Sequence, residues 1–173
     1  GILRILKEKA ASGVDVRVIY DDFGCITTLP RYYERELAGM GIRAQIFNPI
    51  KPVPSGRLNN RSHRKILVVD GKVAYTGGFN LADEYINEEE RFGHWKDCAI
   101  MLRGEAVKSF TLMFLQMWCM ADKTTELGDY LDYPANPPAD SSGYVMPYGD
   151  SPLDAEHVGK QVYVDILNRA ERY

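Results

Sequence analysis

Residues 61–80 read RSHRKILVVDGKVAYTGGFN, and most of what this chain can be follows from them. KILVVDGKVAYTGG is two runs rich in β-branched residues joined by Asp70 and Gly71. Asp-Gly between such runs signals a hairpin, because both central residues of the tight turn need left-handed backbone. Along an extended strand, side chains two apart face the same way, so His63 and Lys65 project together and can address one phosphate. A free imidazole titrates at about 6.5, is mostly neutral at physiological pH and is then nucleophilic. An ammonium beside it can hold phosphoryl oxygens and offset the charge of a departing group. After the second run, Gly77 and Gly78 permit close backbone approach, and Asn80 offers amide hydrogens to the same phosphate. Each feature alone is ordinary: a polar strand face, a turn aspartate, a glycine turn. Their conjunction in one hairpin argues for a site, since each separate reading leaves the others unexplained.

On the N-terminal side, residues 2–11 carry apolar positions at helical spacing, and Gly13 closes that helix before VDVRVIYD alternates as a strand ending at Asp21 and Asp22. Pro30 stands where a first helical residue is tolerated, RYYERELAGM supplies a helix, Gly41 ends it, and IRAQIFN supplies another strand. This alternation predicts an α/β fold with a mixed, largely parallel sheet flanked by helices. On the C-terminal side, residues 97–102 form another apolar run, Arg103 and Gly104 turn it, and residues 105–120 form the longest helix. TTELGDYLDYPANPPADSSG then concentrates acidic residues, prolines and small polar residues, which reads as a connector. GYVMPYGDSP follows as a short strand or turn, and EHVGKQVYVDILNRAERY as an amphipathic helix. The expected organisation is a first compact unit over residues 1–121, a linker over 122–141 and the opening of a second unit over 142–173. The chain begins in what reads as the body of a helix, so upstream sequence is expected.

Twenty-one Lys and Arg against 24 Asp and Glu give a net charge of −3, the wrong sign for gathering nucleic acid by phosphate neutralisation. Cys25, Cys98 and Cys119 are odd in number and too widely spaced for a disulfide framework or a zinc site, and are expected to be buried structural thiols. The most hydrophobic stretch, SFTLMFLQMWCMA at residues 109–121, falls short of the ~20 apolar residues that span a bilayer and reads as a buried helix.

The His-x-Lys-x-x-x-x-Asp spacing of His63, Lys65 and Asp70, followed by Gly77, Gly78 and Asn80, resembles the phospholipase D superfamily. Within it, VRVIYDDFGC, NNRSHRKILVVDGKVAYTGGFNLADEYI and HWKDCAIMLRG are most similar to the bacterial cardiolipin synthase family, over nearly the whole chain. The resemblance implies attack by His63 on a phosphodiester to give a phosphohistidine, with no metal or other cofactor. A second motif would supply another histidine as general acid. It further implies phosphatidylglycerol as donor and acceptor, release of glycerol, and a catalytic part held at the cytoplasmic side of a bacterial membrane by upstream segments. No second His-x-Lys-x-x-x-x-Asp occurs here: Lys96 is followed at once by Asp97 after His94, and Gly159 stands two beyond His157. The chain therefore reads as one catalytic half, its partner half lying in the full-length protein.

Asp70 carries the motif's name, yet it lies seven residues after His63, so alternation puts it on the opposite strand face and gives it a structural role. Asp70→Asn is accordingly expected to destabilise the hairpin. Superfamily relatives place an acidic residue at the start of the strand corresponding to HWKDCAIMLRG, which assigns Asp97 as the partner that orients His63, against the reading of an exposed strand-end carboxylate. Arg61 and Asn59 either contact a lipid headgroup or solvate their loop, and Glu84 is a candidate supporting residue. Asp21 and Asp22 either line the site, bind a cation or are a solvated strand end. Tyr20, Tyr75 and Tyr85 are expected to be core or rim aromatics. The competing functions are a nuclease or phosphodiesterase of the same superfamily, completed by homodimerisation, and a non-enzymatic scaffold. The acidic charge opposes nucleic acid, and intact His63, Lys65 and Asn80 oppose the scaffold.

Overall fold

Helix α1 (Ile2–Ala11) ends where the sequence predicts: Gly13 at φ 88° takes the left-handed conformation that lets its N–H reach Ala10 O at 3.0 Å and Val14 N reach Lys9 O at 3.1 Å. The chain then extends into β1 (Arg17–Asp21), makes the short helix α2 (Asp22–Cys25), and forms α3 (Tyr33–Gly39) and β2 (Arg43–Phe47). α3 starts later than Pro30 suggests, because Tyr32 just ahead of it is left-handed at φ 64°. β1 and β2 pair in parallel, Arg17 against Arg43 through Asp21 against Phe47.

The computed structural model describes residues 1–50, 61–91, 93–132, 143–151 and 155–172, and their contacts define two units. The first comprises residues 1–63 with 117–123. Its core is Val16, Leu37 and Ile42, flanked by Leu3, Leu6, Ala10, Val18, Tyr33, Met40 and Ala44. Leu37 and Ile42 are almost wholly removed from water, which contributes about 1.5–3 kcal/mol for each side chain. The guanidinium groups of Arg17 and Arg43 lie 5.1 and 5.4 Å from the Trp118 ring centroid, while the Trp118 indole N–H donates to Asp122 at 2.9 Å.

The second unit comprises residues 64–116 with 124–173. Its sheet is the antiparallel meander β3 (Ile66–Val69), β4 (Val73–Gly77) and β5 (Ala99–Arg103), in register Val68–Ala74–Leu102 across all three strands. The first turn is the expected one: Asp70 at φ 53° and Gly71 at φ 63° are both left-handed, and Lys72 N bonds Val69 O at 3.0 Å. One sheet face, with Ile66, Val68, Ala74 and Leu102, packs on Val107, Phe110 and Met113 of α4 (Ala106–Trp118). The buried Thr111 hydroxyl is satisfied within that helix by Val107 O at 2.9 Å. No described helix is long and apolar enough to cross a membrane.

The fold class is thus α/β with both a parallel pair and an antiparallel sheet. The described part of GYVMPYGDSP contains no strand, and the amphipathic helix that follows is α5 (Val158–Arg169). Two expectations are corrected. β3 begins at Ile66, so His63 and Lys65 precede the strand instead of lying within it, because the β3–β4 ladder closes at the Ile66–Thr76 pair. Nor are the cysteines buried: Cys98 is exposed just ahead of β5, and Cys25 and Cys119 are half-buried and outside any disulfide.

Candidate active site

In the second unit, the far end of the hairpin is built around an approach that only glycine allows. A Cβ on Gly77 would lie 2.5 Å from Cys98 O and 3.0 Å from Ala99 Cα; one on Gly78 would lie 2.8 Å from Asp97 Oδ1. The bare backbone of β4 therefore lets Asp97 and the start of β5 close against it, and Gly78 N donates to Cys98 O at 3.3 Å. The Asp97 carboxylate is held on both oxygens: Oδ1 accepts from Cys98 N at 2.8 Å, and Oδ2 from the Trp95 indole N–H at 3.1 Å. Lys65 stands within electrostatic reach of that carboxylate. Its ammonium is pulled below its ordinary pKa, first because it is partly removed from water, and Asp97 offsets this in part.

Asn80 donates its side-chain N–H to the Tyr85 hydroxyl at 2.8 Å, so Tyr85, expected to be a core or rim aromatic, is a polar partner of a candidate site residue. The Tyr85 and Trp95 rings meet edge to face, 4.9 Å between centroids at 78°. Glu84 pairs with Arg91 at 3.5 Å in the single turn of 3-10 helix Asp83–Ile86. Asp70 lies at the opposite end of the hairpin, exposed in the turn. Tyr75 is 38% exposed, on the sheet face opposite Ala74.

In the first unit, Asp21 organises the residues just ahead of His63. Its Oδ2 accepts from Gly24 N at 2.9 Å, capping α2, and from Arg61 Nε at 3.1 Å; its Oδ1 accepts from Ser62 N at 3.3 Å. Arg61 also lies over the Phe23 ring at 4.9 Å. Asp22 accepts from Ile50 N at 2.7 Å. Both aspartates at the end of β1 thus serve backbone donors, a role that nothing in the local sequence signals. No group of three or more His, Cys, Asp and Glu side chains among the described residues could hold a metal ion. His63 is exposed, and Asn59 lies outside the described residues. Burial, and then Glu34 at 3.3 Å from its hydroxyl, push the Tyr20 pKa up to about 12.

The tight hairpin, the glycine pair opened for a neighbouring carboxylate, and the lysine beside it define a phospholipase D-like α/β domain. A family model described as cardiolipin synthase, PLD-like domain, matches residues 1–118, and the chain belongs to that family. It is 55% identical to an uncharacterized protein of Streptococcus mutans, across 99% of this chain and 37% of that one. It is 38% identical to a cardiolipin synthase of Geobacillus kaustophilus, across 98% of this chain and 34% of that one. A cardiolipin synthase of Listeria monocytogenes is 33% identical, across 99% of this chain and 36% of that one. The chain thus spans about a third of the length of the curated relatives it matches.

Proposed function

We propose that this chain is the first catalytic half of a phosphatidyltransferase that forms cardiolipin from two phosphatidylglycerol molecules. In this reading residues 1–121 are the first half, 122–141 the linker and 142–173 the opening of the second half. His63 attacks the phosphorus of one phosphatidylglycerol; the bond to the headgroup glycerol breaks, and glycerol leaves with a proton from a histidine of the second half. The hydroxyl of a second phosphatidylglycerol then attacks the phosphohistidine, passes its proton back to that histidine and restores His63. Lys65 and Asn80 hold the phosphoryl oxygens, Gly77 and Gly78 leave room for them, and Asp97 orients the nucleophile. Arg61 and Glu84 support the substrate side. The whole protein works at the cytoplasmic face of a bacterial membrane, reached through segments upstream of this chain.

The observation that carries this reading is the Gly77–Gly78 approach to Asp97 beside Lys65, in a hairpin bearing the full His63, Lys65, Asp70 and Asn80 spacing. It is tested in the full-length protein with phosphatidylglycerol labelled at phosphorus. His63→Ala should abolish both cardiolipin formation and the labelled protein adduct. Transfer at the wild-type rate by that variant would end the proposal. The chain of residues 1–173 alone should form no cardiolipin, because it lacks the general acid.

A further inference from the structure

Between Asn80 and Asp97 the chain makes a loop that joins two candidate site residues through side chains with no assigned role. Asn87, left-handed at φ 60°, grips the Trp95 backbone on both sides: its amide N–H donates to Trp95 O at 2.9 Å, and its oxygen accepts from Trp95 N at 2.6 Å. With its main chain fixed, the Trp95 side chain reaches both candidate site residues, one of them through Tyr85. Its indole N–H reaches Asp97 Oδ2 at 3.1 Å. Its ring meets Tyr85 edge to face, and Tyr85 takes one of the two amide hydrogens of Asn80 at 2.8 Å, which aims the other.

We propose that Trp95 is a positioning residue for the reaction, holding Asp97 through its indole N–H and Asn80 through Tyr85, with Asn87 as the clamp that fixes Trp95. The proposal rests on the reading of Asp97 and Asn80 as site residues. Nothing about a solvent-facing loop requires this arrangement. Asn87 closes the loop by holding the Trp95 backbone, while the indole N–H and the phenol oxygen are directed at the two candidate site residues. Without the indole N–H, Asp97 keeps only the Cys98 N–H on Oδ1, and without the phenol, Asn80 loses the partner that aims its amide; loss of aim by an ångström or so costs turnover while leaving affinity intact.

The test uses the full-length protein. Trp95→Phe keeps a ring against Tyr85 and deletes the indole N–H; it should lower kcat about 10- to 100-fold with KM within about twofold. Combined with Asp97→Asn it should cost nothing beyond Asp97→Asn alone, since the two act through one group. Tyr85→Phe, which removes a single oxygen, should lower kcat in the same way, and its effect should vanish in an Asn80→Ala background. Wild-type turnover by both Trp95→Phe and Tyr85→Phe, with Asp97→Asn impaired, would overturn the positioning role alone. That role fails equally if Trp95→Phe multiplies its full loss onto Asp97→Asn. Wild-type turnover by Asp97→Asn would instead remove the assignment of Asp97, and the proposal with it.

Discussion

The two ends of the β3–β4 hairpin carry the same residue types, an aspartate and glycine, and use them in opposite ways. At the turn, Asp70 and Gly71 are chosen for backbone conformation, both left-handed at φ 53° and 63°. At the other end, Gly77 and Gly78 are chosen for space, each lying where a Cβ would run into Cys98 O or Asp97 Oδ1. Both aspartates are exposed, but Asp97 has each carboxylate oxygen engaged by a donor, while Asp70 stands in the turn. One end organises the chain and the other organises a charge. The superfamily motif includes Asp70 in its name, but the proposed mechanism assigns the chemistry to Asp97, whose carboxylate is held by the Trp95 indole N–H and Cys98 N.

The largest effect should come from Asp97→Asn, which keeps size and shape and deletes the charge. Turnover of the full-length protein should fall by about 10³-fold or more, as when the aspartate orienting a catalytic histidine is neutralised. The pH dependence should change as well, with a definite sign. Asp97 is what raises Lys65 against the lowering due to burial. Removing the anion lets the ammonium lose its proton at lower pH, so the alkaline limb of kcat/KM should move downward. An unmoved limb would mean that Lys65 does not govern it.

Next come the glycines at the same end. In Gly77→Ala the new Cβ meets backbone, Cys98 O at 2.5 Å, so the β4–β5 ladder must open, at a cost of about 1–3 kcal/mol read by urea unfolding. In Gly78→Ala it meets the Asp97 carboxylate at 2.8 Å, a side chain that can swing aside. This variant should lose turnover far out of proportion to its loss of stability. At the turn end the ranking reverses: Gly71→Ala forces a Cβ into left-handed backbone, costs about 1 kcal/mol, and leaves kcat unchanged.

Local signals account for what the sequence made legible. The Asp-Gly turn, the Gly13 end of α1 and the apolar period of α4 each depend on neighbours a few positions away, and each stands where the residues predict. What stayed hidden depends on contacts distant in sequence. Asp21 reaches Ser62 across 41 positions, and nothing near VIYDD marks that carboxylate as the anchor of the segment before His63. The start of β3 escaped because it is set by where β4 stops pairing, not by the β-propensity of Lys65. The Asn87–Trp95 clamp lies in a loop without periodicity, though Asn at the end of a helical turn is the residue type that takes a left-handed cap, as Asn87 does at φ 60°.

The smallest effect is the one that most sharpens the comparison. From sequence alone, Asp70→Asn is expected to weaken the hairpin, on the view that the carboxylate has a structural duty. The left-handed backbone at φ 53° revises that expectation, because asparagine tolerates this conformation as well as aspartate does, and Asn-Gly is a favoured pair for such a turn. What the turn requires of residue 70 is a short side chain that accepts positive φ, not a charge. Asp70→Asn should therefore change unfolding free energy by no more than about 0.5 kcal/mol and leave kcat within about twofold of wild type. Asp70→Ala, which loses that tolerance, should cost about 1 kcal/mol with kcat still unchanged. Measured beside Asp97→Asn, the pair asks one question of two aspartates with a substitution of identical chemistry. If Asp70→Asn lost turnover on the scale of Asp97→Asn while remaining folded, the division of labour between the two ends of the hairpin would be wrong, and the charge that matters would lie at the turn.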